Sequence, residues 1–189
     1  MKVKFERLEI PEVIIIEPVV FEDERGYFFE SYQKEKFKEI GIDVDFVQDN
    51  QSLSIKAGTI RGLHYQLNPK AQAKLVRVIT GAVFDVAVDI RKNSPTFKKW
   101  VSVILTADNK RQIFIPKGFA HGICTLTPNT KILYKTDEFY FKEYERSIRW
   151  DDPDINIKWP LEDIGEVTLS EKDKNAPFLK NAFLVYSYW

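Results

Sequence analysis

The chain has 189 residues, and 28 lysines and arginines balance 28 aspartates and glutamates. This zero formal charge argues against a partner such as nucleic acid or an anionic membrane surface. The length predicts a single domain, over residues 1–189, with one full hydrophobic core. One cysteine, Cys124, excludes an internal disulfide and is typical of a reducing, cytoplasmic compartment. Without an apolar signal region or a membrane-length stretch, we expect no membrane association.

The first elements are short strands. Residues 5–20 alternate and then become continuously apolar, which predicts two strands broken at Pro11. A charged turn over 22–26 leads into a short aromatic strand over 27–30. These strands begin a sheet or pair with the edge of a partner chain.

One helix is predicted in the first half, over residues 32–40. Ser31 is its expected N-cap and Gly41 its expected stop. Phe37 and Ile40 fall on its inner face.

The remaining chain reads as successive strands with regularly spaced turns between them. We predict strands over 45–50, 58–67, 74–78, 82–90, 99–105, 112–115, 122–127 and 131–139. Short strands at this spacing predict a mainly β fold, a sandwich or barrel. After Tyr140 the sequence is polar and irregular, and we expect it to wrap the barrel.

The segment over residues 61–66 is the predicted reactive centre. Strand alternation places Gly62, His64 and Gln66 on one face. Arg61 has the opposite parity, so a shared cleft with His64 requires a bulge, for which Gly62 is a natural site. The alternative is a partly buried, hydrogen-bonded histidine without a chemical role.

A metal site is one interpretation of the two histidines. Residues 116–121 resemble the proline and histidine spacing of the second cupin motif. The first motif requires His-x-His and a later glutamate, and this chain has Gln66 and Lys74 instead. Two imidazoles without a third nitrogen or a carboxylate make a poor transition-metal site, so we expect no metal.

Proton transfer fits the side chains better. Cys124 lies in an apolar run and reads as a core residue, and no nucleophile elbow or phosphate-binding loop is present. His64 suits a general base, and Lys74 an oxyanion stabiliser. Tyr134 and Tyr140 share one predicted strand and one parity, as candidate proton donors or as plain packing aromatics.

The carboxylate that orients the histidine is left open by these patterns. Asp173 is one candidate, but it could equally close a helix capping box with Ser170.

Nine segments together resemble the dTDP-4-dehydrorhamnose 3,5-epimerase family: 23–30, 48–52, 58–66, 72–77, 85–91, 115–122, 134–140, 150–153 and 170–173. The resemblance spans almost the entire chain. It implies a cupin-type jelly roll, a dTDP-sugar substrate, no cofactor, and a homodimer in which N-terminal strands join the partner's sheet.

The resemblance also implies catalytic roles. His64 removes the protons at C3 and C5 of a keto sugar, and Asp173 orients it. Lys74 and Arg61 stabilise the C4 enolate, and Tyr134 reprotonates the opposite face.

Further residues bind the substrate by the same resemblance. Arg25 and Lys172 meet the diphosphate, and Tyr140 and Phe28 are stacking or wall residues. The nucleoside contacts and sugar-pocket residues are Glu30, Gln48, Asp49, Asn50, His121 and Glu145.

Three other functions remain open from the sequence. A related enzyme could epimerise one carbon only or move the ketone between C3 and C4. A metal-dependent cupin oxygenase and a non-catalytic carbohydrate-binding jelly roll belong to different classes.

Overall fold

The computed structural model describes residues 4–162 and 164–184. Its thirteen strands are β1 (Lys4–Arg7), β2 (Ile14–Glu17), β3 (Val20–Asp23), β4 (Gly26–Phe29), β5 (Gln48–Ser54), β6 (Ile60–Gln66), β7 (Lys74–Thr80), β8 (Ala82–Asp89), β9 (Trp100–Thr106), β10 (Gln112–Ile115), β11 (Phe119–Thr125), β12 (Thr130–Thr136) and β13 (Glu145–Ser147). The helices are α1 (Lys34–Glu39), α2 (Glu171–Lys174) and a 3₁₀ turn, Leu179–Asn181. No helix in the described ranges has the length and apolar character needed to cross a membrane.

The strands form two large antiparallel sheets and one hairpin. The six-stranded sheet has the order β1-β2-β10-β7-β12-β5, and the five-stranded sheet the order β13-β6-β11-β8-β9. The strands β3 and β4 pair only with each other. The prediction of a mainly β sandwich is confirmed.

Alternating apolar side chains hold the two sheets together. One core cluster joins inward residues of both sheets, including Val76, Ile113 and Ile132 from one and Ala87 and Ile123 from the other. Burial of such side chains is the main favourable term in folding, at roughly 25 cal/mol per Å² of apolar surface.

The outer faces of the sheets are covered by the less regular parts of the chain. Ile148, Ile155 and Leu179 pack on the outer face of the five-stranded sheet, so the C-terminal segment wraps the sandwich as predicted. Phe37 and Ile40 of the α1 region pack on the six-stranded sheet.

The predicted helix is confirmed, but its start is corrected. Gln33, not Ser31, is the N-cap, and its side chain accepts a hydrogen bond from the backbone N–H of Lys36. Gly41 follows the helix with φ +93°, which fits its expected role as the stop.

Several strand boundaries also differ from prediction. β5 begins later than expected and continues to Ser54, and β11 begins directly after Gly118, before His121. β12 ends at Thr136, so Tyr140 lies in the following loop and not in the same strand as Tyr134. β13 was not predicted, because three polar residues carry no clear alternation.

Candidate active site

A cavity of about 520 Å³ lies between the two large sheets. Strands β6 and β11 contribute one wall, and β5, β7 and β12 contribute the facing wall. Residues of the segment that leads into α2 complete it. An adjoining compartment of about 350 Å³ shares three lining residues with it, His64, Lys74 and Tyr134. The combined space suits an extended small molecule.

A bulge in β6 brings Arg61 and His64 to the same cavity. Register with β11 changes between the pairs Arg61↔Ile123 and His64↔His121, which leaves one extra residue in β6. Gly62 lies there with φ +129°. A Cβ atom at this position would lie 2.6 Å from both Gly122 Cα and His121 O. The predicted bulge is confirmed, and both its backbone angle and its close contact require glycine.

His64 is joined to Asp173 of α2. The Nε2 atom of His64 lies 2.6 Å from Oδ1 of the carboxylate, whose side chain is 4% exposed. Ser170 caps α2 by accepting from the Asp173 N–H, and its hydroxyl donates to Asp173 Oδ2 at 2.8 Å. Asp173 therefore contacts both of its candidate partners, because one carboxylate oxygen meets His64 and the other accepts from the Ser170 hydroxyl.

The protonation of this pair follows from its surroundings. Burial lowers the pKa of His64, although the Asp173 carboxylate opposes the shift. Burial acts to raise the pKa of Asp173, but hydrogen bonds from His64 and Ser170 outweigh it and the net shift is downward. When Nε2–H donates to the ionised Asp173, Nδ1 of the neutral ring is left to accept a proton.

Tyr134 projects from the sheet opposite His64. It belongs to β12, whereas His64 belongs to β6, and both line the two compartments. Burial raises the pKa of the Tyr134 phenol, with Arg61 acting in the opposite direction. The phenol therefore keeps its proton near neutral pH and can donate it.

Two cations line the cavity without an ion pair in the described part of the chain. Arg61 is held by its Nε, which donates to Ser54 Oγ, and by its Nη2, which donates to Leu53 O. Burial lowers the pKa of Lys74 to about 8, while Asp85 and Glu145 act to raise it. Cations that are not already neutralised can stabilise a developing oxyanion.

A second histidine–carboxylate pair lies beside the first. His121 faces His64 across the β6–β11 pair, and its Nε2 is 3.0 and 3.1 Å from the two oxygens of Asp85. Asp85 on β8 is completely buried. Sequence reasoning did not single out Asp85 as this partner, because only the pairing of β8 with β11 brings the two side chains together.

An ion pair and a hydrogen bond connect α2 to the loop after β12. Lys172 Nζ lies 2.5 Å from Glu145 Oε1, and the Tyr140 hydroxyl donates to Glu145 Oε2 at 3.0 Å. Lys172 lines the larger compartment, and Tyr140 and Glu145 line the smaller one. The structure thus brings these three predicted binding residues to the cavity, although Tyr140 reaches it from a loop.

The residues of β5 divide between the two faces of the sheet. Gln48 and Asn50 line the smaller compartment and are hydrogen-bonded to each other. Asp49 has the opposite parity and pairs with Lys135 at 2.9 Å. Asp49 was grouped with its neighbours from the sequence, and the alternation of the strand separates it from them.

The β3–β4 region does not reach this cavity within the described chain. Arg25 is exposed in the turn and pairs with Asp23 at 2.6 Å. Phe28 is 71% exposed, and Glu30 pairs with Lys36. The structure therefore does not bring Arg25, Phe28 and Glu30 to the other predicted site residues of the same chain.

The described residues contain no group of three histidine, cysteine, aspartate or glutamate side chains arranged to hold a metal ion. Gln66, at the position where the first cupin motif has a ligand, instead bonds to the backbone of the loop after β12.

Comparisons of the sequence and of the fold with known proteins indicate the same family. Residues 7–181 match the family model for dTDP-4-dehydrorhamnose 3,5-epimerase. The dTDP-4-dehydrorhamnose 3,5-epimerase of Shigella flexneri is 58% identical over 170 residues, which cover 89% of this chain and 92% of that protein. The crystal structure of a dTDP-6-deoxy-D-glucose-3,5-epimerase from Legionella pneumophila, in complex with dTDP-4-keto-L-rhamnose, is 47% identical and covers 99% of both chains with a TM-score of 0.94.

A relative with a narrower activity is also similar. The 3'-monoepimerase ChmJ from Streptomyces bikiniensis, solved with dTDP-quinovose, is 35% identical, with a TM-score of 0.86 over 93% of this chain and 87% of that one. The fold is therefore shared by enzymes that act on one centre and on two.

Proposed function

The chain belongs to the dTDP-4-dehydrorhamnose 3,5-epimerase family, and from that premise we propose how its residues act on the substrate. It is an isomerase with a cupin-like fold, and its function is the 3,5-epimerisation of dTDP-rhamnose biosynthesis. We propose dTDP-4-dehydro-6-deoxy-D-glucose as the substrate and dTDP-4-dehydro-L-rhamnose as the product. The ligand in the Legionella structure supports this choice.

The proposed chemistry begins with proton abstraction by His64. A ketone at C4 acidifies the C–H bonds at both C3 and C5, so one base can serve both carbons. The observation that carries the proposal is the 2.6 Å contact between His64 and the buried Asp173, which fixes the ring at the cavity wall. A neutral imidazole held by a carboxylate is a competent general base near neutral pH.

The enolate that follows proton loss is stabilised by Lys74 and Arg61. Both line the cavity, and neither has a carboxylate ion-pair partner within the residues described. Positive charge placed where the C4 oxygen becomes negative lowers the barrier without moving any group. The proposed reaction consequently needs no cofactor, since proton loss and return leave the oxidation state unchanged.

Reprotonation from the opposite face completes each inversion. Tyr134 projects from the sheet that faces His64, and its raised pKa keeps the phenol protonated. A donor and an acceptor on opposite walls deliver and remove protons on opposite faces of the sugar. This arrangement supports Tyr134 as the proposed acid.

The nucleotide is proposed to occupy the mouth and the smaller compartment. Lys172 supplies positive charge for the diphosphate. Tyr140 provides a ring wall for the base, and Gln48 and Asn50 provide amide groups for hydrogen bonds. Under this proposal His121 lines the sugar pocket, and Glu145 contacts the sugar where the two compartments meet, because it lines the smaller one and pairs with Lys172 of the larger one.

A homodimer is proposed to complete the site. Arg25 and Phe28 are solvent-exposed, and Phe21 and Tyr27 on the same hairpin are also exposed. Exposed aromatic clusters of this kind mark interaction surfaces. In the proposed dimer, N-terminal strands pair across the interface and the hairpin brings Arg25, Phe28 and Glu30 to the partner's cavity.

We also propose that the enzyme acts in the cytoplasm. The buried free thiol of Cys124 is suited to a reducing compartment.

Asp49 faces away from Gln48, so we propose a binding role for it only at the dimer interface.

Replacement of His64 by asparagine tests the base assignment. Because the amide cannot accept the substrate proton, we expect turnover to fall by a factor of about 10² to 10⁴. Binding of dTDP, measured by calorimetry, should stay within about twofold, since the nucleotide contacts lie elsewhere. A His64→Asn variant that still exchanges sugar protons with solvent would remove His64 from this role.

A further inference from the structure

Hydrogen bonds from glutamine side chains hold the loop that carries Tyr140, alongside the packing of Phe141 against Tyr144 and Lys70. Gln66 on β6 is 3% exposed. Its Nε2 donates to Phe139 O at 3.1 Å, and its Oε1 accepts the Phe141 N–H at 2.7 Å. These two bonds flank Tyr140 on both sides along the backbone.

Two more glutamines hold the same loop. The Oε1 atom of Gln48 accepts the N–H of Tyr140 at 3.1 Å, and Nε2 of Gln72 donates to Glu138 O at 2.8 Å. Gln66 Nε2 also donates to Lys70 O at 2.6 Å. Both ends of the Gln66 amide are therefore used on backbone groups, although the side chain lines the smaller compartment.

The ring of Tyr140 depends on this support. The residue is 52% exposed, and its hydroxyl bonds to Glu145. A ring with so much exposed surface gains little from core packing, so its backbone must be fixed for the ring to stand at a defined place. Fixing a loop before binding reduces the entropy cost of binding.

We propose that Gln66 is a positioning residue, which fixes the Tyr140 loop so that the ring stands ready as a wall for the nucleotide base. The proposal rests on the function proposed above, since it assigns Tyr140 to the nucleoside diphosphate. Gln66 lies two residues from His64 in the sequence, and in the proposed role it does not contact the reacting atoms.

Exchange of backbone amide hydrogens tests the support without any ligand. In Gln66→Met, which keeps the length of the side chain but loses both polar atoms, the Tyr140 and Phe141 amides should exchange at least about tenfold faster. Amides within β12 should be unchanged. Because no substrate is present, failure of the proposed reaction would not affect this result.

Binding of dTDP to the same variants tests the consequence. Gln66→Met should weaken dTDP binding about tenfold, within the range for loss of one base–aromatic contact. In a Tyr140→Ala background the same change should alter affinity less than about twofold. An equal loss in both backgrounds would mean that Gln66 contacts the ligand directly, and would overturn the proposal.

Two further variants make the test independent of folding defects. Gln72→Met removes the bond to Glu138 and should give smaller effects in the same direction, so it serves if Gln66→Met does not fold. Thr130→Val is the matched control, because the Thr130 hydroxyl donates to Thr127 O in the turn at the other end of β12. It should leave dTDP affinity unchanged. Unaltered loop exchange or unaltered affinity in both glutamine variants would refute the role of Gln66.

Discussion

At His64, burial and a neighbouring carboxylate act on the pKa in opposite directions. Burial dominates, so the pKa lies below its ordinary value of 6.5. A base must be unprotonated to act, so under the proposed mechanism activity should rise with pH as His64 loses its proton. The residue is therefore already competent at neutral pH.

The pH profile of kcat/KM should be bell-shaped. Its acid limb lies below pH 6.5, where His64 becomes protonated. Its alkaline limb should lie near pH 8, where Lys74, with a pKa of about 8, loses the charge proposed to stabilise the enolate. Rates measured from pH 5 to 10 with a saturating coupling enzyme give the profile.

The alkaline limb has its own control. Lys74→Met should lower the rate and abolish that limb, while the acid limb shifts only slightly to higher pH, because the Lys74 charge makes a minor contribution to the lowered pKa of His64. An alkaline limb of unchanged position in this variant would show that another group produces it. Tyr134 is unlike Lys74 here, since burial moves its pKa upward and keeps it protonated over the same interval.

The environment of a single residue was predictable where strand parity decides which face of the sheet its side chain occupies. The shared face of His64 and Gln66 and the bulge at Gly62 both follow from alternation along one strand. The partnership of His121 with Asp85 does not, because it depends on which strands become neighbours. Alternation also places Asp49 on the face of β5 opposite to Gln48 and Asn50, although the sequence prediction groups the three adjacent residues as one set.

At the scale of elements, the bulge in β6 determines the site. A Cβ added at Gly62 would meet the backbone of β11, and the strand bears Arg61 on one side of the bulge and His64 on the other. Within the described structure, there is no space for a side chain at position 62. The element therefore depends on one glycine for its shape.

Gly62→Ala should be strongly destabilising. The added Cβ would lie 2.6 Å from two backbone atoms, which must move, and φ +129° is itself unfavourable for alanine. We expect a loss of about 3 kcal/mol or more in the free energy of unfolding, measured by denaturant titration. Loss of activity should accompany it.

Gly26→Ala provides the matched control. Gly26 has a similar φ of +124°, and no atom lies within 4 Å of its added Cβ. Its cost should be limited to about 1 to 2 kcal/mol of backbone strain. Equal destabilisation by both substitutions would show that contact with β11 is not the reason for glycine at position 62.

Element boundaries were less predictable than element types. The α1 helix is predicted over residues 32–40 with Ser31 as its cap, but the helix begins two residues later, at Lys34, so Gln33 occupies the cap position and accepts from the Lys36 N–H. β12 was extended to residue 139 because its aromatic composition continues, whereas the backbone turns after Thr136. Composition indicates which structure forms, and hydrogen bonding decides where it ends.

At the scale of the whole molecule, the sandwich was predictable from its short strands and regular turns. That the strands form a single domain over residues 1–189 stays a prediction. The position of Arg25 and Phe28 was not predictable, because a sequence does not show which copy of a chain receives a hairpin. The proposed dimer gives these residues a site that their own chain does not provide.

Mixing two inactive variants should reveal a shared site. Arg25→Ala removes the proposed contribution to the partner, and His64→Asn removes the base from its own cavity. Half of randomly mixed dimers contain both variants, and each of these regenerates one intact site of two. We expect activity of about one quarter of that of the unmodified enzyme after co-expression of the two chains in equal amounts.

If the mixed dimers were no more active than the mean of the two variants measured separately, the shared site would be contradicted. A mixture of His64→Asn with Asp173→Asn serves as the control, because both changes affect the same cavity of one chain. In that mixture every site retains a defect, so no recovery is expected.

The most direct test of the account follows the sugar protons by NMR in deuterated water, with metal-stripped enzyme and dTDP-4-dehydro-6-deoxy-D-glucose. One base at a cavity that stabilises a C4 enolate predicts loss of both the C3 and the C5 proton signals, with full activity in the presence of a chelator. Exchange at only one carbon would contradict double epimerisation and indicate an activity like that of the 3'-monoepimerase. No exchange at either carbon would contradict proton abstraction by His64 altogether.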